Sequence, residues 1–278
     1  MVKLTQPARA TVEGAGVRLV RTIGCPGLSY VDPFLLLDEF KSDDPSDYLA
    51  GFPWHPHRGI ETVTYMIRGS VEHGDSIGNS GTVGPGDAQW MTAGRGIIHQ
   101  EMPRPDDGGR MWGTQLWVNL PASAKMRLPR YQDIRAADIA EAALDGGGTV
   151  RVVCGTFAGV TGPVTDIDAD PLYMDVRLPS AGHLTVDTPA GYSAFCYCLE
   201  GSAIFDPAGR RPTGPSTIVV YGTGDRVEVQ SGEQGVRFLF ASGRVLGEPI
   251  ARGGPFVMNT LEEIEQAWRE YREGRFLG

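Results

Sequence analysis

Two short motifs carry residues suited to metal chemistry: Trp54-His55-Pro56-His57 and His99-Gln100-Glu101. In an extended strand, residues two apart project to the same face. His55 and His57 therefore point together, and so do His99 and Glu101. If both strands face the interior of one small barrel, three imidazoles and a carboxylate converge. Such an N₃O set leaves room on the ion for water or substrate. It suits Fe(II), and also Ni, Cu, Mn or Zn, because imidazole and carboxylate are borderline and hard ligands. Glu61, four residues after His57, has the same inward parity. It would serve as a ligand or as an outer partner that orients a histidine.

Each motif has a plainer reading. A lone histidine in a strand is more often structural than a ligand. A His-x-His followed by a His-x-Glu, both beside glycine-rich turns, favours the metal. His73 and His183 lack such partners and read as exposed strand or loop positions. Cys196 and Cys198 share parity, but Phe195 and Tyr197 flank them and no second cysteine pair exists, so they read as core. Gly94 and Gly96 sit in a turn–strand context with no further glycine to complete a dinucleotide loop.

The elements that must position these residues are short strands between glycine and proline turns. Strands are predicted over residues 61–67, 88–92, 97–102 and 111–120. Gly84-Pro85-Gly86-Asp87 forms a tight turn, since Pro presets φ and Gly permits φ > 0. Residues 133–148 are Ala-rich, weakly helical in spacing and end in three glycines, which predicts a linker. This gives a metal-bearing domain over 1–135 and a second over 136–278. The second ends in a helix from Leu261, with Leu261, Ile264, Trp268 and Tyr271 on one face, Glu early and Arg late. The halves read as degenerate repeats: Gly59 and Gly69 correspond to Gly191 and Gly201. In that register Asp187, Pro189 and Ser193 replace His55, His57 and Glu61, so one metal site is expected and not two.

Composition sets outer bounds. The chain has 278 residues, 41% of them hydrophobic, with Gly 38 and Pro 20 as punctuation of an all-β protein. Its net charge of −9 argues against direct nucleic-acid binding. No apolar run is long enough to span a membrane, and the first residues lack a signal-peptide core. Four cysteines are too few for a disulfide framework, so a reduced, cytoplasmic protein is expected.

The order H-x-H-x-x-x-E, Gly69, Pro85-Gly86-Asp87 and His99 resembles the two cupin motifs. More narrowly, DPFLLLDEF, GFPWHPHRGIETVTYMIRGSVEH, GPGDAQWMTAGRGIIHQEMP, QLWVNLP and GEPIARGGPFVMNTLEEIEQA resemble the pirin family. The resemblance implies an all-β bicupin: two face-to-face cupin (double-stranded β-helix, jelly-roll) barrels and a short C-terminal α-helix, with one metal in the N-terminal barrel. The family's ligands fall on His55, His57, His99 and Glu101, all matched in type. Glu61 occupies a carboxylate position that other cupins use and pirins generally do not. Family members carry iron, and some carry other divalent metals.

Several members oxidise quercetin as 2,3-dioxygenases, so a small aromatic substrate and O2 are the implied partners. A flavonol 3-hydroxyl would bind the metal, which lowers its pKa. Glu101 would take the proton. Dioxygen would add to the enolate, and ring cleavage would release carbon monoxide. Phe52, Trp54, Met91 and Trp117 read as the apolar wall or as ordinary core. Other members are regulators, including nuclear transcriptional cofactors. The alternative is therefore a non-catalytic, redox-responsive metal protein that binds a protein partner, with Arg58 and Arg95 as its basic footprint or as solvated turn charges. Another cupin activity, such as an isomerase, is a third reading.

Overall fold

The computed structural model of the protein describes residues 1–206, 208 and 211–277. Short antiparallel strands make up most of it, and Leu261–Arg272 is the one α-helix among the described residues. Contacts divide the chain into two compact units. One holds Ala10–Gly24, Phe34–Ala136 and Leu246–Gly278; the other holds Met1–Arg9, Cys25–Pro33 and Ala137–Val245. This division differs from 1–135 and 136–278 at the chain ends. Val2–Pro7 pairs antiparallel with Thr217–Tyr221, which draws the N-terminus into the second unit. The closing segment with its helix groups with the first unit.

Two main sheets build the first unit, beside a short two-stranded hairpin near its end. The smaller runs in the order Phe52–His57, Ile97–Arg104, Ser70–Asp75, Ser80–Val83. Phe52–His57 is an edge strand, as its Pro53 and Pro56 require, because neither can donate to a ladder. The larger sheet has seven strands, with Ile60–Arg68 between Ala88–Thr92 and Met111–Asn119. The chain passes from one sheet to the other at Arg58-Gly59. Gly59 has φ +80°, and a Cβ there would stand 2.0 Å from the Val257 carbonyl oxygen. Only glycine fits this switch.

Lys125 fixes the same point from inside. It is buried, and its Nζ donates to Gly59 O at 2.9 Å, Asn119 Oδ1 at 2.7 Å and Val257 O at 2.9 Å. Burial draws its ammonium down to about 8. The bond to Val257 anchors the hairpin of Ala251–Gly253 and Phe256–Met258. The helix that follows starts with a capping box between Thr260 and Glu263. Ile264 and Ala267 are buried, and Trp268 packs at 4.7 Å on Phe256. Leu261 is exposed, so it does not belong to the apolar face the periodicity assigned it. No helix is long and apolar enough to cross a membrane.

The second unit is built on an eight-stranded sheet with an apolar interior that includes Met174, Val176, Cys196, Cys198, Phe238 and Phe240. The chain passes from one unit to the other at Ala136–Ala137, within the predicted linker, but the later part of that segment is a hairpin. Glu141–Ala143 pairs with Thr149–Cys154, and the chain reverses between them at Gly146 and Gly147, both with positive φ. Three consecutive glycines mark a hairpin here.

Candidate metal centre

The two motifs meet across one ladder. His99 stands directly opposite His55, and Ile97 opposite His57. The next pair is Glu101 with Phe52, so the edge strand carries an extra residue around Pro53 and Trp54. The ring centres of His55 and His99 are 4.4 Å apart, those of His57 and His99 5.1 Å, and those of His55 and His57 4.9 Å. One ligand atom from each lies within 4.8 Å of the others, and this is the one such group among the described residues.

Hydrogen bonding sets the tautomers. His55 Nδ1 lies 2.9 Å from Pro53 O, and His57 Nδ1 lies 3.2 Å from Pro255 O. A carbonyl oxygen only accepts, so each Nδ1 carries the proton and each Nε2 presents a lone pair. Those two Nε2 atoms face each other at 3.1 Å. His99 is buried, and neither of its ring nitrogens has a hydrogen-bond partner. Two opposed lone pairs beside an orphaned imidazole are unfavourable alone and are resolved by one cation among them. Backbone carbonyls behind the imidazoles are the usual outer support of metal-binding histidines. Burial, then the neighbouring imidazoles, holds His57 and His99 well below the ordinary histidine range. Both are thus neutral at pH 7, the form that binds a metal. The residues present fit one ion.

Glu101 lies in the wall of the same cavity, outside the three-histidine group. Its carboxylate is buried and held. Gln115 Nε2 donates to Oε1 and Oε2 at 3.0 Å each, and Thr64 Oγ1 donates to Oε1 at 3.1 Å. Trp117 Nε1 in turn donates to Gln115 Oε1 at 3.2 Å, which fixes which end of the amide meets Glu101. The Trp117 ring meets His57 edge-on at 5.1 Å.

Three expectations are corrected. Glu61 does not face this site. In Ile60–Arg68 the site-facing residue is Thr64, three positions on, so Glu61 lies on the opposite face, where it accepts from Thr92 Oγ1 at 2.7 Å. Parity restarts at Gly59, where the chain changes sheets. His73 is not exposed: it is buried opposite Glu101 in the ladder and stacks on Tyr131 at 5.5 Å. Arg58 is not a solvated charge. It is buried, pairs with Glu270 at 2.7 Å and donates to the carbonyls of Arg95 and Phe276. His183 is exposed as expected, and Arg95 is half-buried.

A cavity of about 620 Å³ opens beside the histidines. Phe52 and Trp117 line it; Trp54 is exposed, and Met91 is buried in a core with Ile60 and Ile97. Thr64, Gln115 and Arg252 were not singled out from the sequence. Gln115 shares strand parity with Trp117, and neither the cross-strand register that sets it beside Thr64 nor the packing of one sheet on the other that brings it to Glu101 is visible in a linear chain.

Family models for pirin and for the pirin C-terminal cupin domain match residues 16–118 and 173–277. The chain is 46% identical to a pirin-like protein of Caulobacter vibrioides over 269 residues, covering 96% of this chain and 95% of that one. It is 41% identical to pirin of Homo sapiens over 277 residues, covering 99% and 93%. A crystal structure described as quercetin 2,3-dioxygenase from Acinetobacter baumannii superposes with a TM-score of 0.89 at 32% identity, covering 99% and 97%.

Proposed function

Since this chain belongs to the pirin family, with two cupin domains, we propose that it is a mononuclear metal-dependent dioxygenase that cleaves quercetin-type flavonols. The observation that carries this reading is a cluster of three imidazoles, two of which, His55 and His57, line with the held Glu101 carboxylate one cavity that also carries Phe52 and Trp117. Its likeness to a structure named quercetin 2,3-dioxygenase supports the same substrate class. His55, His57 and His99 hold the ion, with Glu101 as fourth donor. Fe(II) is the native metal in this reading, and Ni, Cu, Mn and Zn suit the same donors. The ion, when bound, supplies Lewis acidity and the redox capacity that couples an aromatic substrate to O2.

The chain's own residues do the rest. Glu101 accepts the flavonol 3-hydroxyl proton at one of its carboxylate oxygens, and Gln115 and Thr64 hold that carboxylate in place. Trp117 and Phe52 exclude water from the bound ring. The net reaction consumes flavonol and dioxygen and releases a ring-opened ester and carbon monoxide in equal amounts. Four free cysteines suit the cytoplasm as its compartment.

The test is anaerobic reconstitution with Fe(II), followed by admission of air in the presence of quercetin. Loss of quercetin absorbance with matching carbon monoxide release is expected. Failure with every first-row metal in a filled site would overturn the enzyme reading in favour of a regulator. Partner capture in reduced and oxidised forms would then be the next measurement.

A further inference from the structure

The rim of the cavity carries two arginines in different states. Arg21 is fully engaged. Its Nε and Nη2 donate to Asp38 Oδ1 and Oδ2 at 2.7 Å each, and its Nη1 meets Glu13 Oε1 at 2.8 Å. Arg252 lies with its guanidinium carbon 4.9 Å from the centre of the Trp117 ring. Among the described residues no hydrogen bond or ion pair closes on it.

Its position is set by packing. Arg252 stands in the hairpin strand Ala251–Gly253, opposite Val257, whose carbonyl is held by Lys125. A Cβ on Gly24 would stand 3.3 Å from Arg252 Nη1, so a glycine provides the space the guanidinium occupies. Arg252 lines the same cavity as His55 and His57. A guanidinium stacked on an aromatic face retains its in-plane N–H donors for a carboxylate.

The acids nearby do not take that role. Both Asp38 oxygens are held by Arg21, and the same guanidinium holds Glu13. The cavity thus places metal-binding imidazoles and a held carboxylate on one side, an indole in its wall and a cation with uncommitted donors on that indole. We propose that Arg252 is a specificity-determining residue and that the cavity selects aromatic chelators bearing an anionic substituent, a carboxylate, over neutral ones. This inference rests on the cavity being the small-molecule site beside the metal.

The test uses the full chain loaded with Zn(II), which is redox-silent, so that binding is read without turnover. Calorimetric titration compares catechol with 3,4-dihydroxybenzoate. One charge-assisted, bidentate contact predicts that the carboxylated ligand binds about 10- to 100-fold more tightly. Arg252→Gln is expected to erase that ratio with catechol affinity and zinc stoichiometry unchanged. Arg252→Lys is expected to keep part of it, as a point charge without the planar fork. Equal affinities in the unsubstituted protein, a ratio that survives Arg252→Gln, or binding of neither ligand would overturn the inference. Oxygen consumption by the Fe(II) protein with quercetin reports on the dioxygenase reading separately.

Discussion

Gly59 and Gly69 in one unit, and Gly191 and Gly201 in the other, take left-handed φ values of +80°, +65°, +83° and +69°. A Cβ at Gly69 would stand 2.8 Å from the Arg104 carbonyl oxygen, and one at Gly201 2.2 Å from that of Gly235. Each unit thus carries a pair of left-handed glycines ten residues apart, although Gly69 lies between strands and Gly201 within the strand Tyr192–Ile204. Their interiors differ. In the first, His99, Glu101 and Thr64 are buried and polar. In the second, Met174, Phe238, Phe240 and the two cysteines belong to a packed apolar core. Asp187 and Pro189, the positions that the sequence repeat sets beside His55 and His57, are exposed. Burial pushes the Cys196 thiol up, away from the thiolate a metal would need. Antiparallel strands thus enclose a packed hydrophobic interior in one unit and a desolvated polar one in the other. The polar version leaves buried donors and lone pairs that require a partner.

The comparison can be broken most strongly in the packed unit. Phe238→Ala removes a fully buried ring and is expected to cost about 3–5 kcal/mol, read as a lowered denaturant midpoint. Metal content should not change. In the polar unit, Gln115→Leu removes both hydrogen bonds that Gln115 Nε2 donates to Glu101. Metal affinity, read by chelator competition, should fall about 10- to 100-fold. The cap of the closing helix makes a smaller contribution: Thr260→Ala should cost about 1 kcal/mol, visible as a drop of a few degrees in Tm.

Acid should sharpen the contrast further. His57 and His99 have folded-state pKa values below the ordinary 6.5, so the unfolded chain takes up their protons first as pH falls. Their contribution to stability is complete above about pH 6.5 and is lost as pH falls toward the folded values. The metal-free protein should therefore show a falling Tm between pH 7.5 and 5.5, and His99→Gln should flatten that slope. An unchanged slope would contradict the neutral, desolvated cluster.

His55, His57 and His99 were legible in the sequence because each pair of motif residues lies within one strand, where parity is a local property. Residues 88–92 form the predicted strand for the same reason. Glu61 was misread because parity was carried through Gly59, where the chain changes sheets. His73 was misread because its partner, Tyr131, arrives from a distant strand. Gln115 and Thr64 depend on cross-strand register, and Arg252 on a closing segment that folds back onto the unit holding the motifs. The glycine triplet after Asp145 was read as a linker because a hairpin turn and a flexible tether share composition.

The most direct measurement is elemental analysis of the purified protein beside His55→Ala. One first-row metal ion per chain is expected in the unsubstituted protein, and loss of that ion in the variant. Equal metal content in the two proteins would contradict the three-histidine site.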